Sequence, residues 1–158
     1  MRKYATQMEA AKQGIITPEM KTVAEKEFTD PEIIRERVAL GQIAIPANIN
    51  HKSLCAEGIG KGLRTKINVN LGISGDANNY EAEMDKVRMA LRFGAEAIMD
   101  LSSFGDTKAF RQKLIRDCTA VLGTVPIYDA VVYYNKPLKT ITSDEWIDIV
   151  RMHAQEGV

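Results

Sequence analysis

The sequence predicts an α/β fold with a parallel sheet, on three observations. From Arg64 to Gly72 the chain reads Arg-Thr-Lys-Ile-Asn-Val-Asn-Leu-Gly, with Ile67, Val69 and Leu71 alternating with Lys66, Asn68 and Asn70. That two-residue period belongs to a strand, and Gly72, Ser74 and Gly75 break it. Downstream the same plan recurs (strand, polar mouth, amphipathic helix), which is the grammar of parallel βα units. Upstream the chain differs in kind, a run of short helices and loops. The sequence therefore divides into a helical and loop region, 1–62, and a βα region, 63–158.

In the first region, Thr6-Gln-Met-Glu9 fits a capping box and opens a short helix to about Gln13, with Gly14 as its stop. Thr17-Pro18 and Asp30-Pro31 each read as a cap followed by proline at the first helical position. Gly41 ends the third helix, Ile43–Pro46 is extended, and Ala47–Gly62 reads as loop.

In the second region the first strand is expected at about Arg64–Asn70. A helix follows Asn79, with Met84, Val87, Ala90 and Leu91 on one face and Gly94 as its stop. The second strand is expected at about Ala95–Leu101, and Asp106 caps the next helix, with Phe110, Leu114 and Cys118 turned inward. The third strand spans about Val121–Ile127. Thr142-Ser-Asp-Glu145 is a second capping box, opening a helix to about Gln155. A stop at Gly157 with no further strand reads as the end of a piece of a longer chain, because three parallel strands alone leave a sheet poorly covered.

Composition excludes several classes. The 158 residues are 45% hydrophobic and 27% charged, with 21 basic and 21 acidic side chains. Zero net charge provides no general attraction to nucleic acid or anionic membranes, and neither is expected as a partner. No apolar run approaches the roughly 18 residues of a membrane span, and Met1–Glu9 lacks the apolar core of a signal peptide. The expected compartment is cytoplasmic. There a disulfide between the two cysteines, Cys55 and Cys118, is not expected. Two isolated cysteines do not build a metal cage either.

Candidate site residues come from spacing. Asn70 ends the first expected strand, Met99 lies near the end of the second and Tyr128 follows the third, separated by 29 residues (70 to 99, 99 to 128). Equal spacing implies equal phase in successive βα units, hence one rim at the C-terminal ends of the strands. That rim carries the chemistry in barrels and in doubly wound sheets alike. Each residue alone also fits a structural role: Asn70 in a turn, Met99 in the core, Tyr128 as a packed aromatic. Other candidates carry weaker signals. Gly58-Ile-Gly60-Lys-Gly62 could cradle a phosphate but precedes a strand instead of joining strand to helix. His51 could act as an acid or base or simply bond backbone. His153 reads as structural, Asp100 as a rim group, and Glu96 as a bottom-rim or barrel-interior group.

Several stretches carry a resemblance: Thr6-Gln-Met, Gly14-Ile-Ile-Thr-Pro-Glu-Met20, Ile45-Pro-Ala-Asn-Ile-Asn-His51, Lys66-Ile-Asn-Val-Asn-Leu-Gly72, Gly94-Ala-Glu-Ala-Ile-Met-Asp-Leu-Ser102 and Gly123-Thr-Val-Pro-Ile-Tyr128. In this order they resemble the N-terminal part of the phosphomethylpyrimidine synthase family. The resemblance implies a (β/α)8 barrel, of which this chain holds about the first three βα units behind a helical region. It implies a radical S-adenosylmethionine lyase of thiamine biosynthesis. The substrate would be 5-aminoimidazole ribotide and the product 4-amino-5-hydroxymethyl-2-methylpyrimidine phosphate, with formate and carbon monoxide released. It implies that Asn70, Met99 and Tyr128 contact the substrate. It also implies a 4Fe-4S cluster, zinc and a homodimer for a full-length member. The family's Cys-x-x-Cys-x4-Cys cluster segment and its metal-binding histidines have no counterpart in these 158 residues. The chain alone is therefore expected to be inactive, with no catalytic residue assigned. The Asn-Leu-Gly-Ile-Ser and Asp-Leu-Ser-Ser-Phe-Gly forms are similar to those of anaerobic bacteria. A sister enzyme there makes 5-hydroxybenzimidazole for cobamides from the same ribotide, and it is the alternative reading. A noncatalytic ribotide-binding half-barrel is the alternative of another class.

Overall fold

The structure, a computed structural model, describes residues 3–158. Residues 1 and 2, part of the stretch read for a leader, lie outside the described residues. The described chain divides into two compact units. One takes in the chain up to Ala47 together with Cys55–Lys66, and the other Asn48–Leu54 together with Ile67–Val158.

The first unit holds α1 (Gln7–Lys12), α2 (Pro18–Lys26) and α3 (Pro31–Ala39). Side-chain oxygens satisfy the first free N–H groups of all three helices, the usual reason for Thr and Asp at a cap. Thr6 accepts from Glu9 N–H at 3.0 Å, Thr17 from Met20 N–H at 3.1 Å and Asp30 from Glu32 N–H at 2.7 Å. The first capping box closes one residue early, since the Glu9 carboxylate accepts from Ala5 N–H instead of Thr6 N–H. Met20, Val23, Ile34, Val38 and Ile43 make the core. The stretch expected to be loop contains β2 (Ile59–Gly60), antiparallel to β1 (Ile43–Ala44). A two-residue bridge has no period to read in sequence.

The second unit is a parallel sheet of β3 (Asn68–Leu71), β4 (Ala97–Asp100) and β5 (Val121–Thr124), in that order. It alternates with α4 (Tyr80–Arg92), α5 (Thr107–Asp117), α6 (Pro126–Tyr134) and α7 (Ser143–Glu156). Asn79 and Asp106 cap as expected, and Thr142 with Glu145 forms the complete box. In-register residues of a parallel sheet share a face. Val69, Ile98 and Leu122 form one row, and Leu71, Asp100 and Thr124 the next. This face packs on Met84, Val87, Phe110 and Leu114 from α4 and α5. The opposite face carries Asn68, Ala97 and Val121, then Asn70, Met99 and Gly123. Those six are exposed or half-buried.

Three expectations need correction. The strands are shorter than the apolar runs suggest: backbone bonds still cross the sheet at Ile67 and Glu96, but the chain bends at Glu96 and the ladder begins at Asn68 and Ala97. Ile67 is 58% exposed, so the first strand is not buried along its length. The third strand ends at Thr124, and Pro126 opens α6, which the apolar run through Tyr134 disguised as strand followed by loop. Cys118 is the residue after α5, with extended backbone, although its side chain is buried as expected.

Because Ile98 is fully buried between sheet and helices while Met89 is half exposed, their truncations should separate. In urea unfolding followed by circular dichroism, Ile98→Ala should cost about 2–5 kcal/mol. Met89→Ala should stay within about 0.5 kcal/mol of the parent.

Candidate functional site

The candidate site is the C-terminal end of the open sheet face. Asn70 and Met99 are register partners on β3 and β4, and the third member of their row is Gly123. The Asn70 carboxamide oxygen accepts from Asn68 Nδ2 at 2.8 Å. Two residues apart on one strand, the two amides share a face. The Met99 thioether lies across Gly123, where an added Cβ would meet its Sδ and Cε at 3.0 Å. Just past Asn70 the chain must turn at close quarters. Gly72 has φ +148°, and a Cβ there would lie 2.6 Å from the Ser102 backbone nitrogen. Its N–H donates to the buried Glu83 at 3.0 Å.

Tyr128 is not in that row. It sits in the first turn of α6, four residues past the end of β5, with 46% of its surface exposed. The 29-residue spacing therefore matches sheet register from Asn70 to Met99 but not from Met99 to Tyr128. All three belong to the same end of the sheet, where strands hand over to helices. Asp100 points to the helix-covered face, accepting from Ser102 N–H at 2.9 Å and from Ser102 Oγ at 2.5 Å. Burial pushes its carboxyl up, against the Ser102 bonds and Arg111.

Behind the mouth lies a buried polar cluster that sequence reasoning missed. Asp129 accepts from the Thr107 hydroxyl, from Arg111 Nη1 at 3.0 Å and from His153 Nε2 at 2.9 Å. The other His153 ring nitrogen, Nδ1, is 2.9 Å from Thr124 Oγ1. With Nε2–H donating to the carboxylate, a neutral ring accepts the Thr124 hydroxyl proton at Nδ1. Arg111 Nε also donates to Glu156 at 2.8 Å. Burial alone would raise the Asp129 pKa, but His153, Thr107 and Arg111 outweigh it and hold the carboxyl at about 2. The cluster's eight members, residues 100, 102, 107, 111, 124, 129, 153 and 156, come from five separate stretches. Only a three-dimensional fold gathers them. The one local signal was His153, polar yet on the inward face of its helix.

The remaining candidates are structural. His51 is buried with Nε2 2.8 Å from the Cys118 carbonyl. Asn48 Nδ2 donates to the Ala154 and Val158 carbonyls at 2.7 and 2.8 Å, and Asn50 Nδ2 to the Gln155 carbonyl at 2.9 Å. Asn48 and Asn50 thus satisfy free carbonyls at the end of α7, and His51 meets one just past α5. Within 58–62, Gly60 is paired into β2, and Arg37 Nη1 donates to the Lys61 carbonyl at 3.0 Å. Glu96 lies at the N-terminal end of the strands, where its carboxylate accepts from Ile67 N–H at 2.6 Å.

The model of the Radical SAM ThiC family matches residues 6–158. The chain belongs to that family. It is 65% identical over 155 residues to a protein named phosphomethylpyrimidine synthase from Alkaliphilus metalliredigens. Proteins of the same name from Alkaliphilus oremlandii and Fusobacterium nucleatum are 63% and 57% identical. These matches take in 98–99% of the chain but only 36% of each relative. The chain thus spans about a third of the length of the curated relatives it matches.

An iron–sulfur cluster is held by several Cys thiolates, and the residues present do not fit one. Burial pushes the Cys118 thiol up, the wrong direction for a ligand, and its sulfur is 3.9 Å from the Ala120 carbonyl. Cys55 is exposed and belongs to the other unit. Among the described residues no group of three or more His, Cys, Asp and Glu is placed to hold a metal ion. None of the described helices is long and apolar enough to cross a membrane.

The buried Asp129 carboxyl titrates below its unfolded value of about 3.9. Its stabilisation is therefore complete above that value and is lost as pH falls through about 2. In urea unfolding at pH 5 and near pH 2, the parent should lose roughly 2 kcal/mol more than Asp129→Asn does.

Proposed function

We propose that this chain forms the amino-terminal part of a phosphomethylpyrimidine synthase acting on 5-aminoimidazole ribotide, and that Asn70, Met99 and Tyr128 contact that substrate. The observation that carries the reading is the pairing of Asn70 with Met99 on the open face, at the end of the sheet where Tyr128 follows. On this reading the helix-free face lines the interior of a (β/α)8 barrel that begins with these βα units. One-sided helix cover supports that topology, since parallel sheets bury both faces. The names of the relatives support the pyrimidine product over the benzimidazole one.

Each side chain has a stated task. The Asn70 carboxamide offers N–H donors and a carbonyl acceptor to a polar edge of the ribotide. Met99 presents a polarisable thioether to the flat face of an imidazole. Tyr128 supplies an aromatic wall with a hydroxyl at its tip. The family chemistry, one-electron cleavage of S-adenosylmethionine, is assigned to that part of the relatives' length which this chain does not span. Cluster and zinc ligands are assigned there too, and these 158 residues alone are expected to give no turnover.

In the full-length protein under anaerobic conditions, with S-adenosylmethionine, a reductant and the ribotide, mass spectrometry should detect the hydroxymethylpyrimidine phosphate. Asn70→Ala should weaken ribotide binding by about 2- to 10-fold, the worth of one or two net hydrogen bonds. Formation of 5-hydroxybenzimidazole would overturn the product assignment. Unchanged ribotide affinity in Asn70→Ala would overturn the site assignment.

A further inference from the structure

We propose that Asp129 is a positioning residue for the ribotide site: its bonds to α5 and α7 fix the first turn of α6 and with it the placement of Tyr128. The proposal rests on the reading above that Tyr128 touches the ribotide.

The first turn of α6 has the Tyr128 N–H to Val125 carbonyl bond but no side-chain cap. Its N-cap, Val125, has no side-chain bond to the helix, and Val125 is the single residue between β5 and Pro126. In the other helices of this unit a polar side chain caps that turn. Here the anchoring comes from Asp129, buried to 3% exposure. It accepts from Thr107, the first residue of α5, from Arg111 one turn later, and from His153 on α7. His153 in turn meets Thr124, the last residue of β5. The strand end and the helix start are thus joined twice, once through Val125 and once through Thr124, His153 and Asp129.

Consecutive helical residues project about 100° apart. Asp129 is buried while its neighbour Tyr128 is nearly half exposed at the C-terminal end of the sheet. Displacing the carboxylate displaces the turn that carries the phenol ring. The cluster is an expensive way to stabilise a fold, because buried ion pairs roughly break even against apolar packing. Arg111 Nη2 and Glu156 Oε1 are buried within it without a partner. What such a cluster supplies is fixed geometry, the usual role of a supporting shell around a site.

The test is a double-mutant cycle in the full-length protein, titrating 5-aminoimidazole ribotide by calorimetry. Asp129→Asn keeps the shape but removes the negative charge that Arg111 and His153 share and leaves one acceptor oxygen in place of two. It should weaken ribotide binding about 10-fold with Tyr128 present, as losses of supporting partners typically do. On a Tyr128→Ala background it should change affinity less than about twofold, because the residue it acts through is gone. Thr107→Val, a near-isosteric change that removes one donor, should repeat the pattern at about threefold, and it carries the comparison if Asp129→Asn does not fold. Equal losses in both backgrounds would show general loosening and overturn the proposal while leaving the Tyr128 contact standing. Unchanged affinity in Asp129→Asn or Thr107→Val with Tyr128 present would overturn it as well. Unchanged affinity in Tyr128→Ala would overturn both the contact and the proposal.

Discussion

Helices bury one face of the β3–β4–β5 sheet and leave the other open. That one-sided cover governs the rest of the second unit. It forces Val69, Leu71, Ile98 and Leu122 into a dense layer with α4 and α5. It also frees the alternate positions from any packing duty. An amide, a thioether and a glycine occupy one row of the free face. A core-facing row would not tolerate Asn70 without dedicated partners. The open row tolerates it, and Gly123 leaves room for the Met99 side chain to lie flat.

The helix-covered face is not uniformly apolar. Toward the strand C-termini its row changes from Val69, Ile98 and Leu122 to Leu71, Asp100 and Thr124. The polar half of that row sits beside the ionic cluster of Arg111, Asp129 and His153. Apolar and ionic packing thus separate along the strands. The apolar middle supplies burial, while the C-terminal end supplies charges held by one another. Three carboxylates, Asp100, Asp129 and Glu156, share one guanidinium and one imidazole. Burial pushes the Asp100 carboxyl up, with the neighbouring Asp129 charge adding to it, while His153, Thr107 and Arg111 hold Asp129 down against its own burial.

Much of this was legible in the sequence, and the reason is local chemistry. Thr17, Asp30, Asn79, Asp106 and Thr142 announced their helices because a cap needs only a side-chain oxygen and the next few N–H groups. Asn70 and Met99 were found together because each is the next-to-last residue of a strand in equal phase. The misses were non-local. Helix α6 was hidden by a β-branched and aromatic run that opens on proline without a capping side chain. Strand ends were overextended at Ile67 and Ala95, where composition favours a strand but the backbone bends at Glu96 and the ladder begins only at Asn68 and Ala97. Helix α6 is also why Tyr128 left the expected register. The Asp129 cluster could not be read as a cluster, since its members are up to 56 residues apart (100 to 156) and only His153 gave a local sign.

The central claim is that the open end of the sheet, with Tyr128 following it, receives the ribotide. A crystal structure of the full-length protein with bound 5-aminoimidazole ribotide tests this most directly. The account predicts the ligand in contact with the Asn70 carboxamide, the Met99 thioether and the Tyr128 ring, on the face away from α4 and α5. A ribotide bound elsewhere, with those three side chains left in solvent or in protein packing, would contradict it.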